Sequence, residues 1–282
     1  MTIKYLDGAD PLYIKGSKKG CLLLHGGGGG TAWDLKEFSK ELYSTTGMTI
    51  WLPALKGFGT KPEDLYNIKF SDWMTDTRNA LKKLHQDCES VFVVGHSLGG
   101  LLTLLLAAEN EKINGIVTWA APFGVQASFH TFLPIIGKIP ILRNHLLTLI
   151  PIFIKLPILN RLIPKKIPSS APNTAKKKGW VGYEWIPPSI GIGLQEGLKR
   201  LKKSIHEVKC PAFIIQGTED EMVSNDSSNK IYHQISSSKK ELWIVDGAGH
   251  AIMNDDNYKD ELFARTIKFI ESLSLSTLEP LK

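Results

Sequence analysis

Ser97 lies in Gly95-His96-Ser97-Leu98-Gly99-Gly100, between the β-type run Val91-Phe92-Val93-Val94 and the helical run Leu101 to Ala108. Glycines two residues before and two after a serine fit a sharp strand-to-helix turn, where the two backbones come too close for side chains. That turn lifts the hydroxyl onto a helix N-terminus, whose amide dipoles favour developing negative charge, and it places the Leu98 N–H to donate to an oxyanion. A serine hydroxyl is a poor nucleophile near neutral pH. It needs a base within hydrogen-bond reach and a carboxylate that orients the base.

Both partners occur downstream. Gln216-Gly217-Thr218-Glu219-Asp220-Glu221-Met222-Val223 puts Asp220 just past a predicted strand, and Asp246-Gly247-Ala248-Gly249-His250 puts His250 on a glycine-rich loop past the next. The order Ser97, Asp220, His250 suits a nucleophile on such a turn. Glu219, Glu221, Asp226 and, more weakly, Asp246 compete for the acid. His25, His85, His96, His130, His145, His206 and His233 compete for the base. Of these, His85, His206 and His233 fall on predicted helices, and His96 is expected to point along the turn, away from the oxyanion side. Upstream, His25 is followed by the five glycines 26 to 30, which leave several N–H groups unobstructed; the Gly27 amide is the expected second oxyanion donor. A phosphate-cradling loop is the rival for this run, but no Gly-Lys-Ser/Thr follows and no acidic residue ends the next strand.

The elements that must position these groups are legible as patterns. Leu22-Leu23-Leu24, Thr49 to Leu52, Val91 to Val94, Gly115 to Ala120, Ala212 to Gln216 and Leu242 to Val245 read as strands. Helical spacing covers Ala32 to Thr45, Ser71 to Gln86 with Ser71 as the expected cap, the run after Ser97, Asp226 to Ile235 and Asp256 to Leu273. From about Phe123 to Val208 the alternation breaks into proline-punctuated apolar pieces and a basic stretch. Strands alternating with helices on both sides of a long insertion predict a doubly wound, mostly parallel α/β sheet, with 1–122 and 209–282 as its core domain and 123–208 as a helical cap. Ligands of such sheets bind beyond the carboxyl ends of the strands, so His25, Ser97, Asp220 and His250 should converge on one edge.

Composition narrows the function. The 282 residues are 43% hydrophobic and 22% charged, an ordinary globular balance with a sizeable core. The net charge of +6 comes from 34 basic against 28 acidic residues spread along the chain, with no nucleic-acid reading module, so no nucleic-acid partner is expected. Cys21, Cys88 and Cys210 show no metal-ligand spacing and read as free thiols of a reducing compartment. No apolar signal region opens the chain, which predicts a cytoplasmic protein. Prolines and charges interrupt the apolar stretch Phe132 to Ile163, so it does not read as a transmembrane helix.

With these residues in place, the chain resembles the α/β-hydrolase family, and within it the bacterial carboxylesterases and monoacylglycerol lipases. The resemblance is carried by LLLHG at 22 to 26, LPALKGFGTKPEDL at 52 to 65, VVGHSLGG at 93 to 100, GIVTWAAP at 115 to 122, QGTEDEMV at 216 to 223 and GAGH at 247 to 250. It implies Ser97 as nucleophile, His250 as general base and acid, Asp220 as the orienting carboxylate, and Gly27 and Leu98 as oxyanion donors, with neither cofactor nor metal. The chain departs from those esterases in carrying only glycine after His25-Gly26, and from the hormone-sensitive-lipase group in carrying His96 before the nucleophile. The apolar residues of the cap, from Phe129 to Leu162, either pack on the core or form a lid over a long acyl chain, and flanking lysines suit contact with an anionic membrane or micelle. The expectation is therefore a serine esterase acting on a small-molecule or lipid ester, with medium or long acyl esters and monoacylglycerols favoured. Peptide, lactone or thioester cleavage, or ligand binding without catalysis, are the alternatives.

Overall fold

In the computed structural model, residues 3–109, 112–124, 166–169 and 179–275 are described. Strands β1 (Leu12–Ile14), β2 (Lys19–Leu24), β3 (Thr49–Leu52), β4 (Ser90–His96) and β5 (Gly115–Trp119) come first, with helices α1 (Trp33–Thr46), α2 (Phe70–Asp87) and α3 (Leu98–Glu109) between them. A two-stranded ribbon of β6 (Ile167–Pro168) and β7 (Trp185–Ile186) precedes α4 (Ser189–Ser204). The chain closes with β8 (Ala212–Gly217), α5 (Asp226–Gln234), β9 (Lys240–Val245) and α6 (Lys259–Leu275).

Seven strands form one sheet in the order β1-β3-β2-β4-β5-β8-β9, parallel throughout except for β1, which runs antiparallel to β3. Side chains alternate across a strand, so each strand feeds two cores. Leu22, Leu24, Val91, Val93, Ile116 and Ile214 face α2, α3 and α4. Cys21, Leu23, Phe92, Val94, Val117, Phe213 and Ile215 face α1 and α6. This two-sided burial is why the strands read as continuous apolar runs. The chain moves outward from β2 to β3, then returns past β2 to β4. The order therefore reverses between β2 and β4, and the crevice beyond their carboxyl ends lies between the His25 loop and Ser97.

Two local expectations change. Ser71 lies inside α2 and does not cap it: the Asp72 carboxylate accepts the Lys69 N–H at 2.8 Å, closing the first turn from within. Helix α4, which falls in the stretch expected as a helical cap though no helix was placed there individually, packs on α2 and α3, where Gly197 comes so close to the Phe70 ring and Leu101 side chain that a Cβ would overlap them. The apolar stretch Phe132 to Ile163, on which the lid expectation rests, lies outside the described residues. Among the described residues no helix is long and apolar enough to cross a membrane. Cys21, Cys88 and Cys210 are unpaired, and burial pushes each thiol above its ordinary pKa.

The join between β4 and α3 is the tightest demand on sequence. A Cβ on Gly99 would overlap the Leu24 carbonyl and stand 2.8 Å from that of His25. Gly99→Ala is expected to destabilise the protein by about 3 kcal/mol or more. Gly191, near the start of α4 with nothing within 4 Å of an added Cβ, should instead gain about 0.5–1 kcal/mol as alanine. Urea unfolding of the two variants checks both signs; wild-type stability for Gly99→Ala would mean that strand and helix can separate.

Candidate active site

Ser97 occupies the turn between β4 and α3 at a φ of 52°, a left-handed conformation rare outside glycine. Its N–H donates to Trp119 O at 2.9 Å, tying the turn to the neighbouring strand β5. Its Oγ lies 3.0 Å from His250 Nε2, and His250 Nδ1 lies 2.8 Å from Asp220 Oδ2. An ionised carboxylate only accepts, so Nδ1 carries the proton and Nε2 is left as the acceptor of the Ser97 hydroxyl.

Asp220 is buried yet fully engaged. Oδ1 accepts the N–H groups of Met222 and Val223 at 2.8 and 2.9 Å, and Oδ2 accepts Gln216 Nε2 at 2.7 Å as well as His250. Burial alone would raise its pKa, but the imidazole and the two backbone amides outweigh that and hold the carboxyl below its ordinary value. The neighbouring acids do not enter the site. Asp226 pairs with Lys230 on α5, and Asp246 accepts Thr218 Oγ1 at 3.3 Å on the exposed side. Glu219 and Glu221 are no part of this hydrogen-bonded chain.

The glycine run folds over the serine. Gly27 lies against Leu98, with a hypothetical Cβ only 2.7 Å from Leu98 Cδ2, so a side chain there would require the Leu98 side chain to shift. Leu98 opens α3, and its N–H has no carbonyl one turn back within the helix. His25 braces this loop from beneath. Its Nε2 accepts the Leu55 N–H at 3.1 Å, which leaves Nδ1 to donate to Gly26 O at 2.9 Å. Burial pushes its pKa down to about 4, so the ring stays a neutral strut.

His96 does not point along the turn as expected. Its ring fits between Gly26 and His250, 4.9 Å from the His250 ring, and Nε2–H donates to the His250 carbonyl at 3.0 Å. The reason is the side-chain alternation that ends β4: with Ser97 turned upward, the preceding side chain faces the loops at the strand ends. Burial, then the neighbouring His250 imidazole, pushes its pKa down to about 3. Of the other histidines, His206 pairs with Glu207 on the surface and His85 and His233 lie on helices, while His130 and His145 fall outside the described residues.

Asp34, Trp180 and Asn254 had no signal in the sequence. The cleft that holds Ser97 and His250 is also lined by these three side chains and by Gly26, Gly28 and Gly30. Asp34 Oδ1 accepts Trp180 Nε1 at 2.9 Å and Asn254 Nδ2 at 3.1 Å, and its Oδ2 accepts the Thr31 N–H at 3.2 Å. Thr31 Oγ1 donates to Val181 O, and Tyr183 N–H donates to Gly29 O, so residues 180–183 run as a strap along the glycine loop.

Set against known proteins, residues 16–257 match the profile of a hydrolase family described as serine aminopeptidase, S33. The chain is 31% identical over 250 residues to the thermostable monoacylglycerol lipase of Bacillus sp. (strain H-257), covering 89% of this chain and 90% of that protein. It is 26% identical over 264 residues to the carboxylesterase of Bacillus subtilis (strain 168), covering 93% and 96%. Among solved structures, a chain from the work on LipS and LipT, two metagenome-derived lipolytic enzymes, is 27% identical with a TM-score of 0.78, covering 95% of this chain and 100% of that one.

Burial also gives Asp34 a measurable signature. With neutral donors alone around it, desolvation pushes its pKa up to about 6. The folded state therefore holds the proton more tightly than the unfolded state. The Asp34 contribution is most favourable below the unfolded pKa of about 4 and declines by roughly 3 kcal/mol as pH rises through about 6. Relative to Asp34→Asn, the wild-type protein should lose stability between pH 4 and pH 7 in urea titrations; a pH-independent difference would contradict the shift.

Proposed function

Because the chain belongs to the serine aminopeptidase S33 family of α/β-hydrolases, we propose that it is a serine esterase that cleaves carboxylic esters through an acyl-enzyme. The observation that carries this proposal is the single line of hydrogen bonds from Asp220 through His250 to Ser97, ending at the start of α3.

On this proposal, Ser97 Oγ attacks the ester carbonyl while His250 Nε2 takes its proton, and Asp220 holds the tautomer and offsets the charge on the imidazolium. The tetrahedral oxyanion is received by the N–H groups of Leu98 and Gly27, each typically worth roughly 3 kcal/mol of transition-state stabilisation. Collapse breaks the bond to the alkoxy oxygen, which leaves as the alcohol with the proton from His250. Water, deprotonated by His250, then attacks the acyl-serine, and its collapse releases the carboxylic acid and restores Ser97. No step calls for a cofactor.

Substrate choice is assigned to the segment 123–208. Its apolar residues from Phe129 to Leu162 exceed what a solvated surface needs, and relatives named monoacylglycerol lipase and carboxylesterase support an ester with an acyl chain. Medium or long acyl esters and monoacylglycerols are the proposed substrates, with that segment as their apolar cover and as the part that meets a lipid surface.

Ser97→Ala should reduce kcat by about 10⁶-fold, and Asp220→Asn by about 10⁴-fold, with the fold unchanged by circular dichroism. Hydrolysis of p-nitrophenyl esters from acetyl to palmitoyl, alongside monoacylglycerols, tests the substrate. Greatest kcat/KM on the longer chains supports a lipase-like enzyme. Activity confined to short chains would replace it with a small-ester esterase, and activity that survives Ser97→Ala would sink the mechanism.

A further inference from the structure

Two carboxylates are buried among the described residues, Asp34 and Asp220, and the proposed reaction uses only the second. Asp34 makes no direct hydrogen bond to Ser97 or His250; its partners are three neutral N–H groups. A buried carboxylate without a cation is expensive, but an apolar side chain here would leave three donors unpaired, and an amide would set its own NH2 against the Thr31 N–H. What its three bonds have in common is where their donors come from. Thr31 ends the glycine loop that carries Gly27. Asn254 closes the 3-10 turn Ile252–Asn254, a few residues after His250. Trp180 belongs to the strap that lies along the glycine loop.

The sheet does not hold these loops together by itself. The glycine loop leaves β2 and the His250 loop leaves β9, and β4, β5 and β8 stand between those strands. Ladder hydrogen bonds fix the strands, but beyond the strand ends the two loops are joined through side chains. The Asn254–Asp34 hydrogen bond ties the start of α1, just past the glycine loop, to the turn after His250, while His96 ties the end of β4 to the His250 carbonyl. An oxyanion donor and a general base must keep their relative placement within a fraction of an ångström, because a misplacement of about 1 Å costs about 10²-fold in rate.

We infer that Asp34 is a positioning residue: it clamps the loop bearing Gly27 to the loop bearing His250, with the Trp180 strap as the third member of the clamp. The inference rests on the esterase proposal, since it assigns Asp34 to the geometry of that reaction. Asp34 acts through the two loops.

The test compares Asp34→Asn, Asp34→Ala, Asn254→Ala, Trp180→Phe and the Asp34→Ala/Asn254→Ala double variant in the full chain. Assays use a p-nitrophenyl ester and a monoacylglycerol of the same acyl length, well below each melting temperature. Expected is a 10- to 100-fold loss of kcat in the Asp34 variants, with KM within about threefold and the same loss on both substrates. The double variant should lose no more than the worse single one, because both remove the same tie. Unchanged kcat in the folded variants, additive losses, or a loss confined to the monoacylglycerol would each overturn the inference, the last by showing direct contact with the alcohol. If Asp34→Ala does not fold, Asn254→Ala and Trp180→Phe decide alone by the same kcat and KM criteria. Failure of the esterase proposal reads differently, as wild-type activity that survives Ser97→Ala.

Discussion

The close approach of α3 to the carboxyl ends of β2 and β4 is the constraint on which the rest of the site depends. Only glycine at 95 and 99 lets the helix start where Ser97 can stand in a left-handed conformation. A serine held there costs on the order of 1–3 kcal/mol, and such strain persists only when the surroundings over-determine it. They do so here: the Ser97 N–H is taken by Trp119 O, the Ser97 carbonyl accepts the Leu101 N–H, and Leu98 packs under Gly27. The same approach brings the glycine loop over the helix N-terminus, so one packing event creates both the raised hydroxyl and the concave backbone around it.

Around that turn, buried polar groups take over from the sheet as the means of holding geometry. His25 and His96 are neutral struts because burial drives their pKa values to about 4 and about 3. The two buried carboxylates show how much environment matters. Asp220 is shifted down because an imidazole and backbone amides answer its charge, whereas Asp34 is shifted up because only neutral donors do. One residue type thus gives a carboxylate held below its ordinary pKa as the partner of His250, and a buried acid held above it a few residues past the glycine loop.

Much of this was legible in the residues. The apolar runs at 22, 91, 115 and 212 became strands because burial on both faces demands uninterrupted aliphatic character, whereas the run at 242 became the partly exposed edge strand β9. Strand β2 begins three residues before its run, β4, β8 and β9 extend theirs by one or two residues at an end, and β5 stops one residue short. Helix α4 was hidden by its own packing: Gly193 and Gly197, which lower helix propensity, are there because Trp73 and Phe70 lie against them. Strands β1, β6 and β7 are only two or three residues long, too short to leave a periodic signal. The α2 cap was misplaced because the helix begins at Phe70, one residue before Ser71, with the Asp72 carboxylate accepting the Lys69 N–H in its first turn.

By itself the sequence determined the alternation of strands and helices, the glycine-flanked turn at Ser97, and the candidate acid and base at strand ends, because each of these is a demand that neighbouring residues make on one another. Tertiary structure decided which of several acids and histidines meet the serine, that His96 faces the loops, and that Asp34 joins them. Those contacts link residues 153 and 220 positions apart. Their geometry is set by the strand order and by the residual polar demands of buried groups, and neither is written in the local pattern around any one residue.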